Sequence, residues 1–418
     1  MARLIFTNAN LVDGEHPARP RSTVVVDGER IAAVTGAGAA EIRPDDRVVD
    51  LGGRTLMPGM VTCHFHSTYH ELGATPAPLG LDKPPAYLAL RAARNLETAL
   101  LCGFTSAVSA GAAHDIDASM KLAIADGLLQ GPRFLAGSRD LSTTGHANDS
   151  TPWYWDLRAA AAIRLCDGPD EFRRAVRDEI KRGADIIKLF VTGGHGTTAP
   201  KEAPEMTRAE LQAAIEAAHD RGRRIRGHIV NKPAILAAVD AGIDVVDHAD
   251  DMDSECIDRL VAAGTFVAPS LHLPHALMAR SRPGLGFGAA MRSDFERMCR
   301  ILPQANAAGV KLVIGDDYGA AGLPHGAYAG ELALYVRQAG IAPLDVLRWA
   351  TRHGAELMGL GDQLGTVAPG KLADLLVVDG DPTVDISILE DADKLLAILK
   401  GGVLIKDELH VGERASPA

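Results

Sequence analysis

Residues 57–66 read Met57-Pro58-Gly59-Met60-Val61-Thr62-Cys63-His64-Phe65-His66. Val61 to His66 reads as a short strand, and side chains alternate across a strand. His64 and His66 therefore project to the same side at its C-terminal end. Two neutral imidazoles so placed make a bidentate seat for zinc or a similar divalent ion. A bare His-x-His is more often two histidines near a turn than a ligand pair. Only further ligand-type residues from other parts of the chain can decide between the two.

Working outward, strand and helix patterns alternate, the signature of a parallel α/β architecture. The strand candidates are Val61–His66, Thr105–Ala110, Arg133–Gly137, Asp185–Phe190, Arg224–Ile229, Val245–His248, Thr265–Pro269 and Lys311–Gly315. Between them, Tyr87–Leu101, Glu171–Arg182, Arg208–Arg221 and Arg292–Ala308 carry helical periodicity. This count predicts a (β/α)₈ TIM barrel with its site at the C-terminal ends of the strands. Longer insertions come after strand 3 (Asp140–Pro169) and strand 7 (Ser270–Gly288), where pocket walls or lids are expected. Both ends of the chain instead read as short strands broken by turns such as Asp27-Gly28 and Gly401-Gly402. We expect them to form one small composite β-sandwich domain, residues 1–57 plus 366–418, with the barrel at 58–365.

Composition narrows the function. The 418 residues are 47% hydrophobic and 23% charged, ordinary for a globular protein able to bury a large core. A net charge of −11 without a basic run argues against nucleic acid as a partner. No apolar run reaches the roughly 18 residues a membrane span needs, and the N-terminus turns polar too soon for a signal peptide. Cys63, Cys102, Cys166, Cys256 and Cys299 are odd in number and scattered, which predicts reduced thiols and a cytoplasmic location.

With the strands in this register, ligand-type residues gather at one end. Strand 1 ends in His64 and His66, strand 5 in His228, strand 6 in His248 and strand 8 in Asp316-Asp317. Strand 4, Ile186-Ile187-Lys188-Leu189, carries a lysine inside an apolar run. A lone buried histidine or lysine is usually structural; convergence from five strands is not expected by chance.

This pattern resembles the amidohydrolase superfamily. Within it the chain is most similar to the branch of Xaa-Pro-type dipeptidases, ochratoxinase-like carboxypeptidases and imidazolonepropionase-related proteins. Asn10-Leu11-Val12-Asp13-Gly14 and Gly365-Thr366-Val367-Ala368-Pro369-Gly370-Lys371-Leu372-Ala373-Asp374-Leu375 are similar to that family's composite β domain. The resemblance implies a metal-dependent hydrolase of amide C–N bonds in peptide-like or N-acyl amino acid substrates. It implies two divalent ions, zinc being expected, bridged by a hydroxide that attacks the carbonyl. His64 and His66 would hold the more buried ion, and His228 and His248 the second. Lys188 would bridge both as a carbamate. Only the neutral amine reacts with CO₂, and about one lysine in 2,500 is neutral in water at pH 7. An apolar strand beside two cations raises that fraction and traps the product. In Gly315-Asp316-Asp317, alignment on the glycine puts Asp317 on the family aspartate, as metal ligand and proton shuttle, with Asp316 the fallback.

The loops carry further expectations. Thr143-Thr144-Gly145-His146 resembles a family motif whose histidine faces substrate, which makes His146 a catalytic and substrate-binding candidate. His195 of Gly193-Gly194-His195 is a pocket candidate, as are Trp153 and Tyr154 of Trp153-Tyr154-Trp155. His228-Ile229-Val230 lacks the aromatic that relatives commonly carry two residues after the histidine, a departure from the usual dipeptide carboxylate site. A small-molecule substrate and a homo-oligomer are expected. Two alternatives stand beside this reading: a mononuclear cyclic-amide hydrolase or deaminase of imidazolonepropionase type, and a barrel protein without activity.

Overall fold

The computed structural model describes residues 2–71, 81–146, 149, 154, 161–195, 197, 199–280, 286–320 and 322–410, with the backbone alone for 286–290. It divides into two compact units. One comprises Met1–Thr62, Thr98–Ser106 and Ile341–Ala418; the other comprises Cys63–Glu97 and Ala107–Gly340.

In the first unit, strands from both ends of the chain form one sheet. Its order is Val403–Asp407, Leu395–Lys400, Leu375–Val378, Thr55–Pro58, Leu4–Leu11, Arg19–Asp27, Arg30–Gly36, with Arg47–Asp50 also pairing Leu4–Leu11. The junction is the antiparallel pair Leu376↔Met57 and Val377↔Leu56. Phe6, Leu11, Val24, Val26, Leu56, Leu375, Val377 and Leu399 bury one apolar core; Val24 with Val26 and Leu375 with Val377 keep a period of two, and an irregularity between Phe6 and Ala9 resets the phase of Leu4–Leu11. The two-residue turn at Gly401-Gly402 needs positive φ at both positions, 56° and 74°, which glycine adopts without strain.

The barrel ring falls almost wholly in the second unit, only Val61, Thr62 and Ser106 belonging to the first; its strands we number β1 (Val61–Phe65), β2 (Ser106–Ser109), β3 (Gly137–Ser142), β4 (Ile186–Phe190), β5 (Arg224–Ile229), β6 (Val245–His248), β7 (Phe266–Ala268) and β8 (Lys311–Leu312). From β3 to β8 every neighbouring pair is parallel. Backbone bonds complete the ring: Ala110 N to Phe65 O at 2.9 Å, Ala112 N to Ser138 O at 3.1 Å, and Cys63 N to Ile314 O at 2.7 Å. The fold is a (β/α)₈ barrel with a composite terminal β domain.

Two expected boundaries move. Strand 3 is Arg133–Leu135 followed by β3, and the stretch expected to loop from Asp140 stays extended to Ser142 and gains a parallel partner, Ile163–Leu165. Ser138, Arg139 and Asp140 disguise β3 as polar, yet all three are buried, Arg139 through a pair with Glu179. After β7 the expected insertion contains a helix, His272–Arg280, and the helix expected from Arg292 spans Gly286–Ala308. The N-terminus of His272–Arg280 is fixed by Asp316 Oδ2, which accepts from His272 N at 2.6 Å and Leu273 N at 3.1 Å. A carboxylate there satisfies helix N–H groups that have no partner within the helix.

Candidate metal centre

His64 on β1 and His66 just beyond it point into the barrel mouth. There Nε2 of His64 lies 3.2 Å from Nε2 of His66, and each lies 3.1 Å from Asp317 Oδ1. Gly315 makes this approach possible: a Cβ at its φ of 136° would collide with the backbone of His64. His66 Nδ1 donates to Gly111 O at 2.8 Å, so its Nε2 presents a lone pair. His64 Nδ1 faces Asp247 Oδ1 at 3.5 Å and Ser270 Oγ at 3.5 Å, which turns its Nε2 inward in the same sense. Two imidazole lone pairs and a carboxylate oxygen at such distances repel unless a cation lies among them. Tetrahedral coordination with bonds of about 2.0–2.1 Å has donor–donor edges of about 3.3 Å. The three donors fit a divalent ion.

A second group shares Asp317. Ligand atoms of His195, His248 and Asp317 lie within 4.8 Å of one another. His228 stands beside it, its ring centroid 4.4 Å from that of His248 and stacked on Phe190 at 4.7 Å. His195 Nε2, His228 Nε2 and His248 Nδ1 are buried without hydrogen-bond partners. Burial pushes His66 down to about 4 and holds His228 and His248 well below the usual imidazole range. All three are therefore neutral at pH 7, the state a metal requires. Burial pushes Asp317 up, but the adjacent His64 and His66 outweigh it and hold its carboxyl well below the ordinary range. Asp316 moves the other way, up to about 6, through burial and the adjacent Asp317 charge.

Beneath these donors lies a buried ionic layer. Lys188 Nζ donates to Asp247 Oδ2 at 2.7 Å. Arg226 holds the same carboxylate with Nε at 3.0 Å from Oδ2 and Nη2 on Oδ1. Its Nη1 donates to Cys63 O at 2.7 Å and Ser109 O at 2.9 Å. Burial pushes Asp247 up, but Arg226 and Lys188 bring it well below the normal range. Asp140, opposite Lys188 in the β3–β4 register, has both carboxylate oxygens buried without partners and is pushed up to about 7 by burial.

The remaining sequence candidates separate. His146 Nε2 lies 3.2 Å from Glu205 Oε2, and its ring meets Phe190 edge-on at 5.6 Å, one ring removed from His228. His195 lines a cavity of about 330 Å³ with Asp250, Lys201, Leu271, Met291 and Phe295. Tyr154 is 67% exposed, and Trp153 and Trp155 lie outside the described residues. Sequence reasoning missed Arg226, Asp247, Asp250 and Asp140. Arg226 carried a signal, since it precedes His228 by two residues and must share its face. The acids carried none, because their partners are distant in the chain.

A parallel barrel with ligand-type histidines and an acid at the C-terminal strand ends defines a barrel hydrolase. A family model described as "Amidohydrolase family" matches residues 55–405, and the chain belongs to that family. Ochratoxinase of Aspergillus niger is 28% identical over 420 residues, covering 94% of this chain and 84% of that protein. A prolidase crystallised with N-methylphosphonate-L-proline superposes with a TM-score of 0.86 at 30% identity, covering 97% of this chain and all 100% of its own. A Xaa-Pro dipeptidase with methionine in its active site gives 0.86 at 27% identity, covering 97% and 100%. The protein is a hydrolase acting on carbon–nitrogen bonds. No helix among the described residues is long and apolar enough to cross a membrane.

Proposed function

We propose that the protein hydrolyses an amide bond in a small peptide-like or N-acyl amino acid substrate, using two divalent ions, zinc being expected. The convergence of His64, His66 and Asp317 at 3.1–3.2 Å carries this reading. His64, His66 and Asp317 would hold one ion and His228 and His248 the second, with a carboxylated Lys188 bridging both. Ions held there supply Lewis acidity and a nucleophile at neutral pH. Asp317 presents Oδ1 to the histidines and uses Oδ2 to take the proton from attacking solvent. It then returns that proton to the leaving nitrogen. His66, His228 and His248, held neutral by burial, offer ring lone pairs as donors. The similarity to ochratoxinase, the prolidase and the dipeptidase supports an amide with an adjoining amino acid carboxylate. The family pattern would place His146 toward substrate; its contact with Glu205 leaves its ring one layer behind His228. The reading includes a cytoplasmic homo-oligomer.

One observation favours the mononuclear alternative. Lys188 is paired with Asp247, and its capture of CO₂ requires that pair to open, one proton leaving to free the amine and a second leaving the nitrogen once the N–C bond has formed. Elemental analysis of the purified protein, coupled to hydrolysis of N-acyl amino acid and dipeptide libraries, tests both readings. Two ions per chain with amide turnover is the expected result. One ion with full activity selects the mononuclear reading.

A further inference from the structure

We propose that His195, buttressed by Asp250, supplies a donor to the second ion beside His248 and Asp317, a place the family pattern does not assign to it. This rests on the dinuclear reading above. His195 Nδ1 faces both oxygens of Asp250, at 3.0 and 3.1 Å, so Nδ1 carries the proton toward the carboxylate. The opposite nitrogen, Nε2, is buried without a partner and belongs to the His195–His248–Asp317 group. A carboxylate behind a histidine whose other nitrogen is unengaged is the usual arrangement of a metal-ligating imidazole. The carboxylate fixes the tautomer and strengthens the donor.

The backbone supports the same conclusion. His195 has φ of 44° and His248 of 75°, the left-handed region that side-chain-bearing residues rarely occupy. Residues persist there when their surroundings over-determine them, typically at functional sites. The loop around His195 is held by Gly194 N to Ala199 O and Thr197 N to Gly194 O, both at 3.0 Å. Asp250 is fixed in turn, as its carbonyl accepts from Arg297 Nη1 at 3.3 Å. His195 also forms part of the cavity wall, so an ion held there would face whatever enters the cavity.

The test is competitive metal titration against a chromogenic chelator, with Co(II) absorption spectra, on the native protein, His195→Ala and Asp250→Asn. The native protein is expected to bind two ions. His195→Ala should keep one at native affinity and hold the second at least about tenfold more weakly. Asp250→Asn should weaken the second by the roughly 10–100-fold typical of losing such a buttress. Both variants should alter the Co(II) spectrum, and Asp250→Asn keeps the result readable if His195→Ala fails to fold. Two ions at native affinity in both variants, with a raised KM alone, would overturn the proposal and make His195 a substrate contact. A native protein that binds one ion would overturn the dinuclear reading itself, and the proposal with it.

Discussion

Asp317 turns Oδ1 to His64 and His66, whereas its neighbour Asp316 caps the helix His272–Arg280, so substitution should separate them. Asp317→Asn is expected to lose the roughly 10²–10⁴-fold in kcat typical of a removed acid–base group and to hold the ion beside His64 and His66 more weakly. Asp316→Asn should retain most turnover but lose about 1–3 kcal/mol of stability, as buried N–H groups lose an acceptor. Steady-state kinetics, elemental analysis and thermal unfolding on both variants decide; equal kinetic loss would mean both acids serve the reaction. Lys188→Ala should lose most activity and regain part of it with a short-chain carboxylic acid, which would replace the carbamate. Normal metal content and turnover in Lys188→Ala would end the bridge proposal. At this scale the sequence displayed the donors that share a strand face, His64 with His66, because period two is a local property. His195 with Asp250 and Lys188 with Asp247 are pairs made by the fold, and no spacing announces them.

Among the elements, the helix Tyr328–Ala339 brings a buried acid to the end of β8. Glu331 Oε2 accepts from Gly315 N at 2.9 Å and Tyr318 OH at 3.3 Å, and Oε1 accepts from Tyr335 OH at 2.6 Å. Burial, with Asp316 nearby, pushes Glu331 up to about 8 from an ordinary 4.5. The folded state therefore binds this proton more tightly than the unfolded state. Stability from Glu331 is present below its unfolded value and is lost as pH rises toward 8. The thermal midpoint of the metal-free protein should fall across that window, and Glu331→Gln should flatten the fall. An unchanged slope in Glu331→Gln would assign it to other groups. Element types were largely legible from periodicity; β3 was not, because its buried Arg139 and Asp140 mimic a loop. The helix His272–Arg280 was also hidden, since an acid just past β8, distant in the chain, supplies its N-terminal partner.

For the whole molecule, ion binding should be visible in folding, because a ligand of the native state alone stabilises it by mass action. At free ion about 1,000 times above Kd the gain is about 4 kcal/mol. Chelation should therefore lower the unfolding midpoint, and zinc should restore it, as differential scanning calorimetry would report. No shift would argue that His64, His66 and Asp317 hold no ion in the native state. The pairing of Thr55–Pro58 with Leu375–Val378 has a consequence for biosynthesis. A ribosome adding about 5–20 residues per second takes tens of seconds to make the chain between those strands. Throughout that interval the nascent chain carries a sheet with one side unpaired, a template for neighbouring chains on the same message. Ribosomes stalled before residue 375 should therefore yield products that co-sediment with aggregates or chaperones, and release past residue 400 should free them.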